Sequence, residues 1–367
     1  MCWGSNHTFI TFEFLNKIFM NHRLLISLIC GILSTTFIAA QETNQGSSDS
    51  KSQNDGVFVS AKKIKDSLYY LSYKNTNAVA FLGRDYTILI DGFDAKAAPQ
   101  ALTTAGRLSL NPVRFVINTH HHKDHTGGND YYSDSGVTVL CNTQVYNNIW
   151  ADVNAEVLSD LKKQRSELAQ AMKSAGKSER GKEIGAKYNR LSEQNMDREL
   201  SYPAMTFSDD FNMNLINESI VFKSVSKSHT SLDVYAYFEN SNVLATGDLY
   251  FNGKYPFIDE DFKGSIEGYL KAIDEMIALC NNDTVIVPGH GPIASKRDLE
   301  SYKRMLDYTQ KGVQMDYLLG KTLEEVLANK TITANFDAQG YGMGYVKREE
   351  YVSMLYRAAE KQYPRKK

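Results

Sequence analysis

Asn118–Gly128, which reads Asn-Thr-His-His-His-Lys-Asp-His-Thr-Gly-Gly, constrains this chain more than any other stretch. It follows Val113-Arg114-Phe115-Val116-Ile117, a short β-branched and aromatic run bounded by Pro112, which predicts a buried strand. The polar residues therefore fall on the loop at that strand's end, closed by Gly127 and Gly128. Four residues of metal-ligand type occur within six positions: His120, His122, Asp124 and His125. Imidazole and carboxylate suit zinc and other borderline divalent ions. A loop can aim alternate side chains at one ion and the next pair at a second. A solvated, histidine-rich loop is the alternative reading of this stretch taken alone.

Three later segments follow the same logic. His229 opens His-Thr-Ser-Leu-Asp, Asp248 sits in Ala-Thr-Gly-Asp-Leu, and His290 sits in Val-Pro-Gly-His-Gly-Pro. Each follows an apolar run, at Ile220–Val225, Val243–Ala245 and Thr284–Val287, and so falls at a strand end. Of the eight histidines, His7 and His22 lie in the N-terminal segment. Five of the remainder occupy these motifs, and His121 fills the variable position inside the first.

The first motif matches the H-x-H-x-D-H signature in full, and the set resembles the metallo-β-lactamase superfamily from about Val57 to the helix after Ser295. The resemblance implies an α/β fold, the four-layer αββα sandwich. It assigns His120, His122 and His229 to a first metal ion, Asp124, His125 and His290 to a second, and Asp248 to both. Two zinc ions are implied as cofactors, with other divalent metals as alternatives. Metal-bound water has its pKa lowered to about 7. The implied reaction is therefore hydrolysis by a metal-bridging hydroxide that the catalytic residue Asp124 orients. Asp91, which follows the strand-like run Tyr86–Ile90, is implied to support the metal-binding loops from behind.

The bond cleaved would be that of an ester, thioester, lactone or related small-molecule substrate. β-Lactam amide hydrolysis is the alternative. β-Lactamases with a cysteine ligand carry Cys where this chain has Asp248, and the Asp resembles broader hydrolases such as hydroxyacylglutathione hydrolases and lactonases. A non-catalytic, metal-stabilised binding protein is a reading of a different class. The intact set of seven ligands argues against it, because a structural site needs no open position. Asp233, four residues after His229, reads either as a hydrogen-bond partner of a ligating histidine or as a surface Asp on a helix or strand edge. Tyr250, Asn252 and Lys254, on the loop after Asp248, are candidate substrate contacts, with a solvated loop as the alternative reading. A formal charge of −2 shows no bias toward nucleic acid or an anionic membrane. No nuclease-type extension or flavodoxin-like domain is recognisable.

The 367 residues suffice for one large α/β domain with additions. Met20-Asn21-His22-Arg23 gives a start and a basic region, Leu24–Ile38 an apolar core, and Ala39-Ala40 precedes Gln41. This is the secretory signal pattern, short for a membrane span, and it predicts a secreted or periplasmic protein, with an uncleaved anchor as the alternative. Cys30 is no lipoprotein signal, since Ser27-Leu28-Ile29 lacks the small residue. Residues 1–40 are thus extension and signal, and the Ser/Asn/Gln/Asp-rich residues 41–56 a disordered linker. The metallo-β-lactamase domain is expected over 57–312, with a charged helical hairpin inserted at about 155–200 and broken near Gly176 and Ser178. That hairpin reads equally as a lid or wall over the cleft and as an appendage. A small helical extension follows at 313–367, where Thr322-Leu323-Glu324-Glu325 has the form of a capping box. Cys141 and Cys280 read as two buried thiols, with a disulfide as the alternative.

Overall fold

The computed structural model describes residues 57–193 and 203–365. The signal-like segment, the linker and the last part of the inserted region lie outside the described residues.

The first sheet takes its seven strands in chain order. They are β1 (Ser60–Lys65), β2 (Leu68–Tyr73), β3 (Thr76–Leu82), β4 (Thr87–Ile90), β5 (Val113–Asn118), β6 (Thr138–Asn142) and β7 (Met205–Phe207). The first four pair antiparallel, and the last four, β4 to β7, pair parallel. Parallel neighbours need a crossover. Helix α1 (Ala98–Leu108) supplies one between β4 and β5. Short helices α2 (Lys123–Thr126) and α3 (Asn129–Asp134) lie between β5 and β6, and α4 (Thr143–Ala175) and α5 (Glu179–Glu193) between β6 and β7. The second sheet has the order β13-β12-β11-β10-β9-β8. Its strands are β8 (Phe211–Asn214), β9 (Ser219–Ser226), β10 (Leu232–Phe238), β11 (Val243–Ala245), β12 (Val285–Val287) and β13 (Ala294–Ser295). Helix α6 (Ile266–Leu279) is the crossover between parallel β11 and β12, and α7 (Lys296–Leu318), α8 (Leu323–Ala328), α9 (Ala334–Asp337) and α10 (Arg348–Gln362) complete the chain.

Three apolar layers hold this arrangement. Val79, Phe81, Ile88, Ile90 and Ile117 meet Phe222, Val234, Phe238 and Val243 between the sheets, with Phe81 and Phe238 rings 5.9 Å apart. Alternate residues of the first sheet, among them Ala78, Ala80, Leu89 and Val116, pack instead on Ala98, Ala101 and Ala105 of α1 and Tyr132 of α3. Because both faces are covered, these strands read as continuous apolar runs. On the far side, Tyr235, Leu244 and Ile286 pack under α6, α7 and α10. The layers therefore run helix, sheet, sheet, helix: the expected αββα sandwich.

Local chemistry sets the helix starts. Ser265 caps α6 by accepting from Gly268 N–H, and Ser295 and Asp298 form a capping box on α7. Thr322 and Glu325 form the box read from the sequence. The expected boundary at residue 312 falls inside α7, and Val313, Tyr317, Tyr351 and Leu355 belong to the same core as Leu244. The C-terminal helices are thus part of the outer layer of the domain.

The inserted hairpin also begins earlier than expected. α4 starts at Thr143, where Asn142 accepts from Gln144 N–H, and its first turns bury Val145 and Ile149 against Cys141. Asn147, Asn148, Ile149 and Trp150 are middling to poor helix formers, so tertiary burial rather than propensity makes this turn helical. Edge strand β1 carries the polar sequence SAKKIK, and a polar edge of this kind blocks edge-to-edge pairing. Edge strand β8 is only four residues long, FNMN, with Phe211 and Met213 packed on the inter-sheet core. Cys141 and Cys280 are both buried and free, and burial raises their thiols to about 12 and about 11.

Candidate metal centre

All seven residues assigned by their motifs come together at strand ends where the two sheets meet. The chain leaves β5 into the His120–His125 turn, β9 into His229, β11 into Asp248 and β12 into His290. Ligand atoms of His120, His122, His229 and Asp248 lie within 4.8 Å of one another, and so do those of Asp124, His125 and His290. Asp248 faces both groups. Its Oδ1 lies 3.1 Å from His125 Nε2, His290 Nε2 lies 3.2 Å from both oxygens, and Oδ2 lies 3.5 Å from His229 Nε2 and 3.7 Å from His120 Nε2. Gly289 makes the room: a Cβ there would collide with Asp248 Oδ1. Gly247, at φ 51°, leaves no space for a Cβ against Thr119 and adopts a backbone conformation that favours glycine.

Each histidine is held from behind by its other ring nitrogen. His120 Nδ1 meets Thr119 Oγ1 at 3.0 Å, His125 Nδ1 meets Asp91 Oδ2 at 2.8 Å, and His229 Nδ1 meets the Phe257 carbonyl at 2.7 Å. His290 Nδ1 meets the Asn75 carbonyl at 2.8 Å. These four present Nε2 to the centre. His122 is turned the other way, with Nε2 2.9 Å from Asp259 Oδ2 and Nδ1 2.9 Å from His229 Nε2. Partners of this kind fix the tautomer and the aim of a ligating ring. Asp91, expected to lie behind the loops, also accepts from Thr119 N–H and Oγ1. It does so from the left-handed region, φ 67°, which Asp tolerates better than most residues.

The donor set fits divalent cations. His120 Nε2, His125 Nε2 and Asp248 Oδ1 are buried without a hydrogen-bond partner, and all three point at the centre. Buried polar atoms left unmatched cost about 1–3 kcal/mol each, and a bound cation satisfies them together. Burial holds His120 and His229 below the usual histidine range, keeping them neutral. Burial works in the same direction on His125 and His290, but the Asp248 carboxylate, with Asp124, outweighs it and raises both. A divalent ion can take the place of those protons against the same carboxylates.

The supporting residues differ in part from expectation. Asp233 does not bond a ligating ring. Its carboxylate accepts from Ser228 Oγ, Thr230 N–H and Thr230 Oγ1, fixing the turn that carries His229. Asp259, Thr76 and the Asn75 and Phe257 carbonyls lie in segments with no ligand motif of their own, and Thr119, inside the first motif, is not of metal-ligand type, so the sequence does not mark these supports. Asn77 ties the two sheets at the site: its N–H donates to Gly289 O, and its Nδ2 to Pro288 O and Gly291 O, at 2.8–2.9 Å. His121 packs its ring 4.1 Å from that of Phe262 in a tilted arrangement, and burial lowers it to about 3.

A cleft of about 610 Å³ opens over the ligands, lined by Thr76, Asp124, Asp152, Phe251, Lys254, Phe257 and Tyr345 among others. Of the three candidate substrate contacts, Lys254 lines it. Tyr250 is fully buried, with its hydroxyl on Asn252 Oδ1, and Asn252 holds Pro292 O, so both serve the His290 turn. Asp152 puts the base of α4 in the cleft wall, and Lys123 reaches Glu156 on the same helix at 2.7 Å. Among the described residues, no helix is long and apolar enough to cross a membrane.

The fold and the paired clusters support a metal-dependent hydrolase. The chain is similar to a metallo-beta-lactamase from Pontibacter korlensis at 17% identity, covering 68% of this chain and 99% of that one, with a TM-score of 0.48. It is also similar to DIM-1 metallo-beta-lactamase at 11% identity, covering 68% and 97%, with a TM-score of 0.46. Comparison with curated proteins returns no match. The family model of the metallo-beta-lactamase superfamily matches residues 73–290, from the end of β2 to the last of the seven clustered residues. That match spans more than half of the 367 residues, and the chain belongs to the metallo-beta-lactamase superfamily.

Proposed function

We propose that this protein is an exported, zinc-dependent hydrolase that cleaves an ester, thioester, lactone or related bond in a small molecule. The observation that carries the reading is the position of Asp248, whose carboxylate lies between the two groups of candidate ligands, within 3.7 Å of histidines from both. Each ion would have three ligands of its own and share Asp248 with the other, and expansion beyond four-coordination would give each a position for water or substrate. Two divalent ions bound there supply Lewis acidity and a nucleophile at neutral pH. In this assignment His120, His122 and His229 hold one ion, Asp124, His125 and His290 the other, and Asp248 both.

The protein's own groups then do the positioning. Thr76 Oγ1 donates to Asp124 Oδ2 at 2.9 Å, and Asp124 is 44% exposed toward the cleft. Asp124, so oriented, would accept the proton of the attacking water. Lys254 lines the cleft with no carboxylate partner among the described residues, and burial lowers its ammonium from the usual value. An unpaired, half-buried cation beside the metals suits a substrate bearing an acid group. The same cation favours the second reading, β-lactam amide hydrolysis, since such substrates carry a carboxylate.

A panel of chromogenic ester, lactone, thioester, phosphate and cephalosporin substrates, run with zinc-loaded and chelator-treated protein, tests the proposal. Chelator-sensitive turnover of an ester-class substrate is expected. Preference for the cephalosporin would move the assignment to the second reading, and no turnover of any substrate would overturn both.

A further inference from the structure

The cleft has an apolar side that the metal ligands do not explain, and part of it comes from beyond the residues matched by the family. Phe251 stacks on His290 at 4.9 Å and 13°. Phe257, whose carbonyl holds His229, packs its ring 5.5 Å from His122. Any molecule seated over the ligands therefore abuts these rings. The chain then returns through Tyr345 and Val346, which line the same cleft 55 residues or more after His290. Tyr345 sets its ring edge-on to Phe257, 5.7 Å apart at 90°, yet is 84% exposed. A large aromatic held upright at a cleft mouth leaves apolar area that a ligand can cover.

The segment carrying Tyr345 is fixed in place. Tyr255 donates its hydroxyl to Asp337 Oδ1 at 2.8 Å and its N–H to Tyr341 O at 3.3 Å. Gly344 lies against the Lys254 stem so closely that a Cβ there would sit 3.1 Å from Lys254 Cδ. Arg348, just beyond, donates to Thr333 Oγ1, Leu327 O and Asn329 O. This wall is preorganised, and preorganisation lowers the cost of binding.

We infer that Tyr345, with Val346 and Phe257, forms a subsite for an apolar arm of the substrate, an aryl or straight acyl group beside the scissile bond. The inference rests on the proposed hydrolase reading for the position of that bond. Tyr345 is a specificity-determining residue here, and its ring supplies surface, not a hydrogen bond.

The test uses the zinc-loaded full chain, Tyr345→Ala and Tyr345→Phe. Binding of 4-phenylbutanol, a neutral probe with no acid to coordinate a metal, is measured by calorimetry. The ratio of kcat/KM for 4-nitrophenyl octanoate over acetate is measured on the same samples. Tyr345→Ala is expected to weaken probe binding about tenfold and to lower the ratio about tenfold through KM, with zinc content unchanged. Tyr345→Phe is expected to match the wild type in both. Probe binding that is absent in the wild type, or equal in Tyr345→Ala, would overturn the subsite. If no ester is turned over, the hydrolase reading falls and the binding comparison alone decides the subsite.

Discussion

The carboxylate of Asp91 stands 2.8 Å behind His125 Nδ1, and it does so while also fixing the backbone of Thr119. One side chain thus sets both the ring that faces Asp248 and the start of the ligand turn. Removing it leaves His125 buried, unanchored and free to rotate. Asp91→Ala is expected to bind zinc about 10–100-fold more weakly than the wild type. Competition against a chromophoric chelator measures this, and circular dichroism reports whether the fold is kept.

Asp248 carries the two-ion assignment. Its negative charge offsets repulsion between two dications, and the group Asp124, His125 and His290 has one charged ligand without it. Wild type is expected to hold two zinc-like ions per chain. Asp248→Ala should fall toward one, with hydrolysis down at least about a hundredfold, or roughly 2.7 kcal/mol. Mass spectrometric metal analysis and kinetics on the same samples test both halves. A single ion in the wild type, or full activity in the variant, would falsify the bridging role.

The hairpin divides at its base. Asp152 lines the cleft, while residues 162–164 and 172–174 of α4 are exposed. Replacing residues 159–200 by a flexible linker keeps Asp152 and all seven clustered residues. Zinc content is expected to stay at the wild-type value. Turnover of small esters should stay within about threefold, a change of under 1 kcal/mol in the barrier. A larger loss with zinc retained would assign the upper hairpin to a lid.

Asp316 gives a stability test away from the site. It accepts from Lys321 Nζ at 2.7 Å and Asn329 Nδ2 at 2.8 Å, joining the end of α7 to the turns around α8. Burial opposes its charge, but these two donors win and lower its carboxyl below the usual 3.8. A carboxyl depressed by folding contributes stability above its unfolded value and loses it as pH falls through the folded one. Asp316→Asn should therefore be less stable by about 1–2 kcal/mol near pH 7. The gap should shrink as pH is taken below 3.8. Urea unfolding across that range reads both.

Export is expected from Arg23, the apolar run to Ile38 and Ala39-Ala40. N-terminal sequencing of protein from the native envelope should begin near Gln41, and a cytoplasmic chain starting at Met1 would contradict it.

The seven residues that cluster at the candidate centre were legible in the sequence because each sits in a compact motif at the end of an apolar run, where local chemistry and position agree. The interior strands were legible for the same reason. The supports were not: Asp259 reaches His122 across 137 residues, and Asn75 reaches His290 across 215. No spacing in the chain encodes such pairs. Asp233 shows the limit from the other side, since four residues from His229 suggested a direct bond and the turn instead interposed Ser228 and Thr230. The start of α4 was hidden because burial of Val145 and Ile149, not helix propensity, makes it helical.

The hydrogen bonds from Asn77 to Pro288 and Gly291 span 211 and 214 residues. Closing loops of that length is slow relative to local structure formation. The His120–His125 turn is local in the chain, but its partners at Asp248 and His290 join it only when the two sheets have docked. A copy whose sheets have not closed on each other therefore has no complete centre with which to hold a divalent ion.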